Sequence, residues 1–191
     1  MTDPVRDTAG ATRGLLGQAL GGDSSARGGL LERLRPRVVL WAAARLSGKL
    51  RALLEPEDVA QEVLIAVSKS FDRFDNREYR AFLGWLFTIA EHRIRDRVDY
   101  HNAKSRQPPE PREGSADTTP SVIAVRNERV ERVREAIERL PQDYKDVIRL
   151  RRFQELDCRE VAELMGRSEN AVRVLYCRAI KALGREMGGS A

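Results

Sequence analysis

The sequence has little cysteine, few aromatic residues and no long apolar run. Two cysteines among 191 residues, Cys158 and Cys177, are too few for a disulfide framework or a four-cysteine zinc site. No stretch approaches the ~20 uncharged apolar residues of a spanning helix, so membrane insertion is not predicted. The first residues, Met1 to Asp7, include acids and lead into no apolar block, which argues against a secretory signal. These absences together predict a reducing, cytoplasmic setting.

Sequence motifs typical of enzymes and of metal sites are also missing. The chain has no glycine-rich phosphate loop, no nucleophile–base pattern and no metal-ligand spacing, so we expect no enzyme, no cofactor and no metal. Its two histidines, His92 and His101, lie nine positions apart without a cysteine nearby. What remains is the class of binding proteins.

Charge is abundant in both signs. The 34 basic and 29 acidic residues leave a net charge of +5, and hydrophobic residues make up 41% of the chain. That apolar content suffices for a core and excludes wholesale disorder. The small basic excess permits a nucleic-acid partner without requiring one.

A proline-rich segment between Ser105 and Ser121 divides the chain. Its composition resists helix formation and buries little, so we predict a linker at 108–120 between helical domains at 1–107 and 121–191. The alternative is one long ordered loop inside a single domain, which is uncommon. Both flanks show helical periodicity and no strand-like alternation. The predicted fold class is therefore all-α, with two small helical domains joined by a flexible linker.

Three main helices with apolar stripes predict a small bundle in the first half. A short leucine-rich helix should precede a glycine break at Gly21–Asp23, and a helix over Leu30–Leu46 should kink or end at Pro36. Pro56, followed by acids, opens the next helix. The long helix is expected from Tyr79 to Tyr100.

The helix that opens at Pro56 has an acidic outward face with one apolar residue. A solvated face and a docking surface for a partner both fit this pattern. The residues of this face are Asp58, Gln61, Glu62 and Ile65.

The long helix ends in a basic stretch with aromatic residues around it. Cations beside aromatic rings suit single-stranded DNA, whose bases stack while its phosphates bind cations. The alternative is that the aromatic residues belong to the core. The basic residues of interest are His92, Arg93, Arg95 and Arg97.

The last two helices have the pattern of a helix-turn-helix. Asp157 and Glu160 form a capping-box sequence, and Gly166 can make the tight turn between the helices. Small Ala162 and apolar Val172 at the right spacing complete the pattern, although an ordinary helical hairpin would share it. The outward face of the last helix carries donors and cations suited to bases and phosphates. They are Ser168, Asn170, Arg173, Arg178 and Lys181.

Three motifs in order give the chain its resemblance to a known family. They are Glu57–Val63, Phe82–Ala90 followed by Arg93, and the stretch from Leu140–Pro141 through Glu160–Ser168 to Ala171–Arg173. In these motifs the chain resembles a bacterial extracytoplasmic-function sigma factor of the sigma-70 family, over about Leu15 to Met187. The motifs are similar to region 2.2, regions 2.3 and 2.4, and region 4 of that family.

The resemblance implies a sigma factor that binds core RNA polymerase and directs promoter-specific initiation. The acidic face would dock on bacterial core polymerase. Asn76 and Tyr79 would hold a flipped base of the −10 element, the basic face of the long helix would follow the −10 DNA, and the last helix would read the −35 element. Promoter DNA is the second implied partner, and an anti-sigma factor is expected from family habit alone. The protein would be cytoplasmic and nucleoid-associated in the holoenzyme; the alternative function is a stand-alone helix-turn-helix regulator.

Some residues depart from the family pattern or stay unassigned. Arg173-Val174-Leu175 stands where many members have Lys-Ser-Arg, so Val174 is a candidate contact for a thymine methyl. His92 stands where asparagine is common. The stretch Ser47–Leu54 has no functional account, and the two cysteines could sense redox state or serve as small helix residues. The long linker also suggests that the two domains pack together in the free protein and mask DNA contacts.

Overall fold

The computed structural model describes residues 8–46, 50, 52–104 and 123–188. Within these ranges the regular structure is helical and contains no strand, which confirms the all-α prediction. The predicted linker at 108–120 lies outside the described residues, as do Ser47–Lys49 and Arg51 of the unassigned stretch. The helices are α1 (Thr8–Leu20), α2 (Ser24–Arg45), α3 (Pro56–Ser70), α4 (Tyr79–Lys104), α5 (Ile123–Arg139), α6 (Gln142–Ile148), α7 (Cys158–Met165) and α8 (Glu169–Gly188).

The first two helices meet at a glycine turn. Gly22 has a φ of +96°, a conformation that glycine adopts without strain. The Asp23 carboxylate accepts hydrogen bonds from the backbone N–H groups two and three residues on, at 2.8 and 3.0 Å. This cap starts α2 at Ser24, earlier than the predicted Leu30.

Helix α2 continues through Pro36, so the helix does not end there; the alternative, a kink at Pro36, stays a prediction. A proline inside a helix removes one backbone hydrogen bond and strains the preceding turn. Packing offsets this cost, because α2 lies at the centre of the molecule and contacts α1, α3 and α5. Its fully buried residues include Leu30, Leu34, Val38 and Trp41.

Helices α3 and α4 form as predicted and complete the N-terminal bundle, α1–α4. Pro56 is the first residue of α3, and the predicted stripe along that helix is buried. Helix α4 buries a second apolar stripe, and its Phe87 ring lies 5.2 Å from the Trp41 ring of α2. A short 3₁₀ turn over Phe71–Arg73 ends α3 and leads to the loop before α4.

The C-terminal bundle consists of α5–α8. Pro141 precedes α6, which passes into a π-helical turn over Arg149–Phe153 that the sequence did not predict. The capping box of α7 is present as predicted, because Asp157 accepts from the Glu160 N–H at 2.9 Å and Glu160 accepts from the Asp157 N–H at 2.7 Å. Gly166 ends α7 with a φ of +62°.

The two bundles pack against each other. Helix α2 contacts α5, α6 and the π-helical turn, and one apolar core runs through both bundles. Among the described residues, no helix combines the length and apolar character needed to span a bilayer.

Candidate functional site

The acidic face of α3 points away from the core. Asp58 and Gln61 are exposed, and the Ile65 side chain is 47% exposed although it is apolar. Glu62 is half-buried, since its carboxylate accepts a hydrogen bond from the Arg97 Nε of α4 at 3.1 Å. This ion pair joins the predicted docking face to the predicted −10 face. The four residues share one face of α3, and Glu62 connects that face to α4.

The basic residues of α4 are at least partly accessible to solvent. His92, Arg93 and Arg95 are exposed, and Arg97 is half-buried by its pair with Glu62. Arg93 also has the Asp96 carboxylate 3.7 Å away, one helical turn on. The three arginines give this part of α4 positive charge that suits an anionic partner.

The loop before α4 holds a polar residue beside an aromatic cluster. The Asn76 side-chain oxygen accepts a hydrogen bond from the Glu78 N–H at 2.8 Å, which forms a local turn. Phe74 stacks on Trp85 with ring centroids 4.9 Å apart, and both rings are partly buried. Asn76 itself is exposed.

Tyr79 lies in the core rather than on the surface. Its side chain is 7% exposed, with the Arg13 guanidinium 5.7 Å above the ring. The Arg37 guanidinium donates to the Tyr79 hydroxyl at 3.2 Å. Burial raises the pKa of Tyr79, and the positive charges of Arg37 and Arg13 partly oppose that rise. In this arrangement a DNA base cannot stack on the ring.

The outward face of α8 contains a shallow groove bordered by cationic side chains. The groove has a volume of about 320 Å³ and is lined by Arg173, Val174, Cys177, Arg178 and Lys181. All five side chains are exposed, whereas Val172 and Ala179 on the opposite side of the helix are buried. The chain thus presents donors, cations and one apolar side chain on a single helix face.

Two residues at the start of this helix take part in local contacts. The Ser168 hydroxyl accepts a hydrogen bond from the Ala171 N–H at 3.2 Å and so caps α8. Asn170 is exposed in the first turn. Arg173 forms an ion pair with Glu169 one turn earlier, and its side chain is still 62% exposed. Glu169 therefore orients Arg173 without burying it.

A cleft between the bundles brings together residues that the sequence did not connect. It encloses about 630 Å³ between α4 and the α6–α7 region. His92 and Arg95 line one wall, and Asp143, Asp146 and Arg167 line the other. The two walls are about fifty to seventy-five positions apart in the chain, and no local sequence pattern predicts that they meet.

No cluster of three or more metal-binding side chains occurs among the described residues. Cys158 is half-buried and Cys177 is exposed, and both are free thiols. The surfaces on α3, α4 and α8 carry exposed charges, hydrogen-bond donors and a few apolar side chains, which suits them to binding macromolecules.

Comparison with known proteins identifies the family. The family models described as Sigma-70 region 2 and Sigma-70, region 4 match residues 30–103 and 130–183. The chain is 35% identical over 178 residues to the ECF RNA polymerase sigma factor SigD of Mycobacterium tuberculosis, covering 91% of this chain and 82% of that relative. It is 28% identical over 180 residues to the ECF RNA polymerase sigma factor ShbA of Streptomyces griseus, covering 88% and 91%. The solved structure of CnrH in complex with the cytosolic domain of CnrY matches with a TM-score of 0.46 and 25% identity, covering 95% of this chain and 99% of that one.

The chain carries region 2 followed by region 4, which are two conserved regions of sigma factors. The chain belongs to the sigma-70 family and, within it, to the extracytoplasmic-function sigma factors. It is thus an alternative sigma factor that directs transcription initiation, and its partners are core RNA polymerase and promoter DNA. A stand-alone helix-turn-helix regulator is not favoured, because region 2 would then have no role.

Proposed function

We propose that this sigma factor works by recruitment, with one surface for polymerase and two for DNA, and performs no catalysis itself. The observation that carries the proposal is the α8 groove, where three cationic side chains, Cys177 and Val174 share one exposed face. Such a face on the second helix of a helix-turn-helix is suited to the major groove. As a transcription factor of bacteria, the protein would act in the cytoplasm, on the nucleoid when bound to polymerase.

The acidic face of α3 is the proposed polymerase surface. Asp58 and Gln61 offer a charge and an amide, and exposed Ile65 offers an apolar contact that a solvated face does not need. Glu62 supplies a second charge, partly engaged by Arg97. A basic or mixed helix of the polymerase would fit this combination.

The −10 surface is proposed along α4 and the loop before it. His92, Arg93 and Arg95 would bind phosphates, and Arg97 would do so at the border with the polymerase surface. Asn76 would hydrogen-bond an extruded base, since unstacking a base costs a few kcal/mol that polar and aromatic contacts must offset. Tyr79 would join that pocket only after its contacts with Arg13 and Arg37 are released.

The −35 surface is proposed on α8. Arg173 can donate to a guanine edge, Asn170 to an adenine edge, and Val174 can contact a thymine methyl. Arg178 and Lys181, one and two turns further on, would bind phosphates and fix the register of the helix on the duplex. The Ser168 hydroxyl, which caps α8, would lie at the point where the helix enters the major groove of the DNA.

Two DNA-binding domains that each bind weakly bind a promoter more tightly when a linker joins them. Once one domain is bound, the linker keeps the other at a high effective concentration near its own element. An anti-sigma factor remains an expectation from family habit, and we assign no surface to it.

Run-off transcription followed by sequencing tests this proposal. Purified protein is mixed with bacterial core polymerase and genomic DNA, with core polymerase alone as the control. Discrete start sites that share two spaced upstream motifs are expected only when the protein is present. The matched variants are Arg173→Ala in the α8 groove and Arg159→Ala on α7, which is 82% exposed and also paired with a glutamate one turn away.

Failure to bind core polymerase would overturn the proposal. Specific promoter binding by the protein alone, without polymerase, would favour the stand-alone regulator instead.

A further inference from the structure

Tyr100, near the end of α4, is an aromatic residue that the surfaces described above do not include. Its side chain is 56% exposed, whereas every other aromatic side chain of the protein is at least half-buried. Its ring meets the His101 ring edge-on, with the centroids 5.9 Å apart. A single exposed apolar group needs no explanation, but several that share one surface mark a binding site. The neighbours of Tyr100 therefore decide its meaning.

Helices α3 and α4 run antiparallel. Phe71, which follows α3, packs against Phe82 near the start of α4, with ring centroids 6.0 Å apart. Glu62, nearer the start of α3, accepts a hydrogen bond at 3.1 Å from Nε of Arg97, in the second half of α4. Moving toward the start of α3 thus means moving toward the end of α4, where Tyr100 lies.

Both helices carry a stripe of residues with the same spacing along the Glu62–Arg97 contact. Residues spaced by four and then three positions lie on one face of a helix. The two stripes are Asp58, Glu62 and Ile65 on α3, and Arg93, Arg97 and Tyr100 on α4. Because the ion pair joins the middle of each stripe and the helices are antiparallel, Tyr100 lies at the Asp58 end. Ile65 lies at the opposite end, beside Arg93.

The two exposed apolar side chains are within reach of one partner helix. Ile65 and Tyr100 are each three residues from the ion pair, in opposite directions, which is about 4.5 Å along each helix axis. Packed helices are about 8–10 Å apart, so the backbones at these two positions are about 13 Å apart on the diagonal. A helix with its side chains is about 10–12 Å wide. One helix that lies over the Glu62–Arg97 pair can therefore contact both Ile65 and Tyr100.

The charges around Tyr100 favour a protein partner over DNA. Of the side chains that the structure describes, Asp96 lies one turn earlier and is 66% exposed, and Asp99 is exposed next to the tyrosine. The Arg97 charge is paired with a carboxylate, and Asp58 lies at the same end of α3. Acidic groups at this position repel phosphates and attract basic side chains. A basic or mixed helix with apolar side chains fits this surface.

We propose that Tyr100 binds core RNA polymerase and that the docking surface spans both α3 and α4. Ile65 and Tyr100 are its two apolar contacts, on either side of the Glu62–Arg97 ion pair. Tyrosine is enriched among the residues that contribute most to interface affinity, because its ring supplies a large and rigid contact area. This inference rests on the proposed docking of polymerase on the acidic face of α3.

Equilibrium binding to bacterial core polymerase in the absence of DNA tests the proposal. We expect Tyr100→Ala to weaken binding at least about tenfold, with unchanged circular dichroism and melting temperature because the side chain is exposed. Tyr100→Phe keeps the ring and should bind within about twofold of wild type. The control is Met187→Ala, which removes a 41% exposed apolar side chain from the end of α8 and should bind normally. Binding by Tyr100→Ala as tight as that of the control would overturn the proposal.

Photochemical crosslinking distinguishes polymerase from DNA as the partner. A benzophenone amino acid replaces Tyr100, and the full chain is irradiated with core polymerase alone and with core polymerase and promoter DNA. A crosslink to a polymerase subunit is expected in both mixtures. A crosslink to DNA alone would instead assign Tyr100 to the −10 surface and overturn the proposal.

Asp58→Lys separates this inference from the proposed function. If Asp58→Lys loses polymerase binding and Tyr100→Ala retains it, the docking surface is confined to α3 and only the extension onto α4 is refuted. If the wild-type chain does not bind core polymerase, the proposed function itself is refuted.

Discussion

Arg173 is the residue on which the proposed −35 reading depends most. It lies in the exposed groove of α8, oriented by its ion pair with Glu169. An arginine that binds a guanine edge through two hydrogen bonds discriminates by about 1–3 kcal/mol. We therefore expect Arg173→Ala to weaken transcription from −35-dependent promoters by roughly 10- to 100-fold.

The measurement is single-round transcription on promoters with intact and altered −35 elements. Arg159→Ala, which removes an arginine from a comparable surface ion pair, should leave transcription unchanged. An unchanged promoter profile in Arg173→Ala would exclude Arg173 from base recognition.

The burial of Tyr79 should be visible in the pH at which its hydroxyl ionises. Burial raises the pKa of its hydroxyl above the ordinary value of 10.0, so the folded state holds this proton more tightly than the unfolded state. Its contribution to stability is then complete below pH 10 and is lost as the pH rises through the pKa of the folded state. An ultraviolet titration should contain one late tyrosinate component among the four tyrosines.

Tyr79→Phe is the matched variant, because it keeps the ring and removes only the hydroxyl. The late component should disappear, and the free energy of unfolding at neutral pH should fall by about 1 kcal/mol with the loss of the Arg37 hydrogen bond. If the late component persists in Tyr79→Phe, another tyrosine is the buried one.

At the scale of elements, the turn between α7 and α8 depends on one glycine. Gly166 has a φ of +62°, and no heavy atom lies within 4 Å of the position that a Cβ would take. The cost of Gly166→Ala is therefore conformational and not steric. We expect a loss of about 1 kcal/mol in the free energy of unfolding, measured by chemical denaturation.

Gly184 provides the comparison within the same pair of helices. It lies inside α8, also with open space around its Cβ position, but its backbone is helical. Gly184→Ala should raise stability by roughly 0.5–1 kcal/mol, because glycine disfavours a helix interior. Equal effects from the two substitutions would contradict the role assigned to the turn.

At the scale of the whole molecule, polymerase binding is expected to depend on charge at one face of α3. Asp58→Lys reverses an exposed charge on the acidic face without disturbing the buried side of the helix. Binding to core polymerase should fall by at least about tenfold, since a like charge placed in an interface is costly. Glu32→Lys makes the same change at an exposed position of α2 and should bind normally.

Fluorescence anisotropy with labelled protein measures the affinity of each variant for core polymerase. Circular dichroism checks that the helices remain. Native helicity with undiminished polymerase binding in Asp58→Lys would remove α3 from the docking surface.

The sequence by itself determined the helical class, the starts of α3, α4 and α7, and the family. Caps and turns are local: Asp157, Glu160 and Gly166 act within a few positions of their partners, so their pattern is readable along the chain. The outward face of α8 can also be predicted from the sequence, because side chains on one face of a helix recur every 3.6 residues.

Only the tertiary structure decided which side chains are buried and how the two bundles meet. Pro36 stays inside α2 because neighbouring helices cover that helix, and Tyr79 is buried because Arg13 and Arg37 close over it. Arg37 donates a hydrogen bond to the Phe153 backbone carbonyl, more than a hundred positions away. A carbonyl oxygen is present in every residue and has no sequence pattern, so such a contact arises only when packing brings the two bundles together.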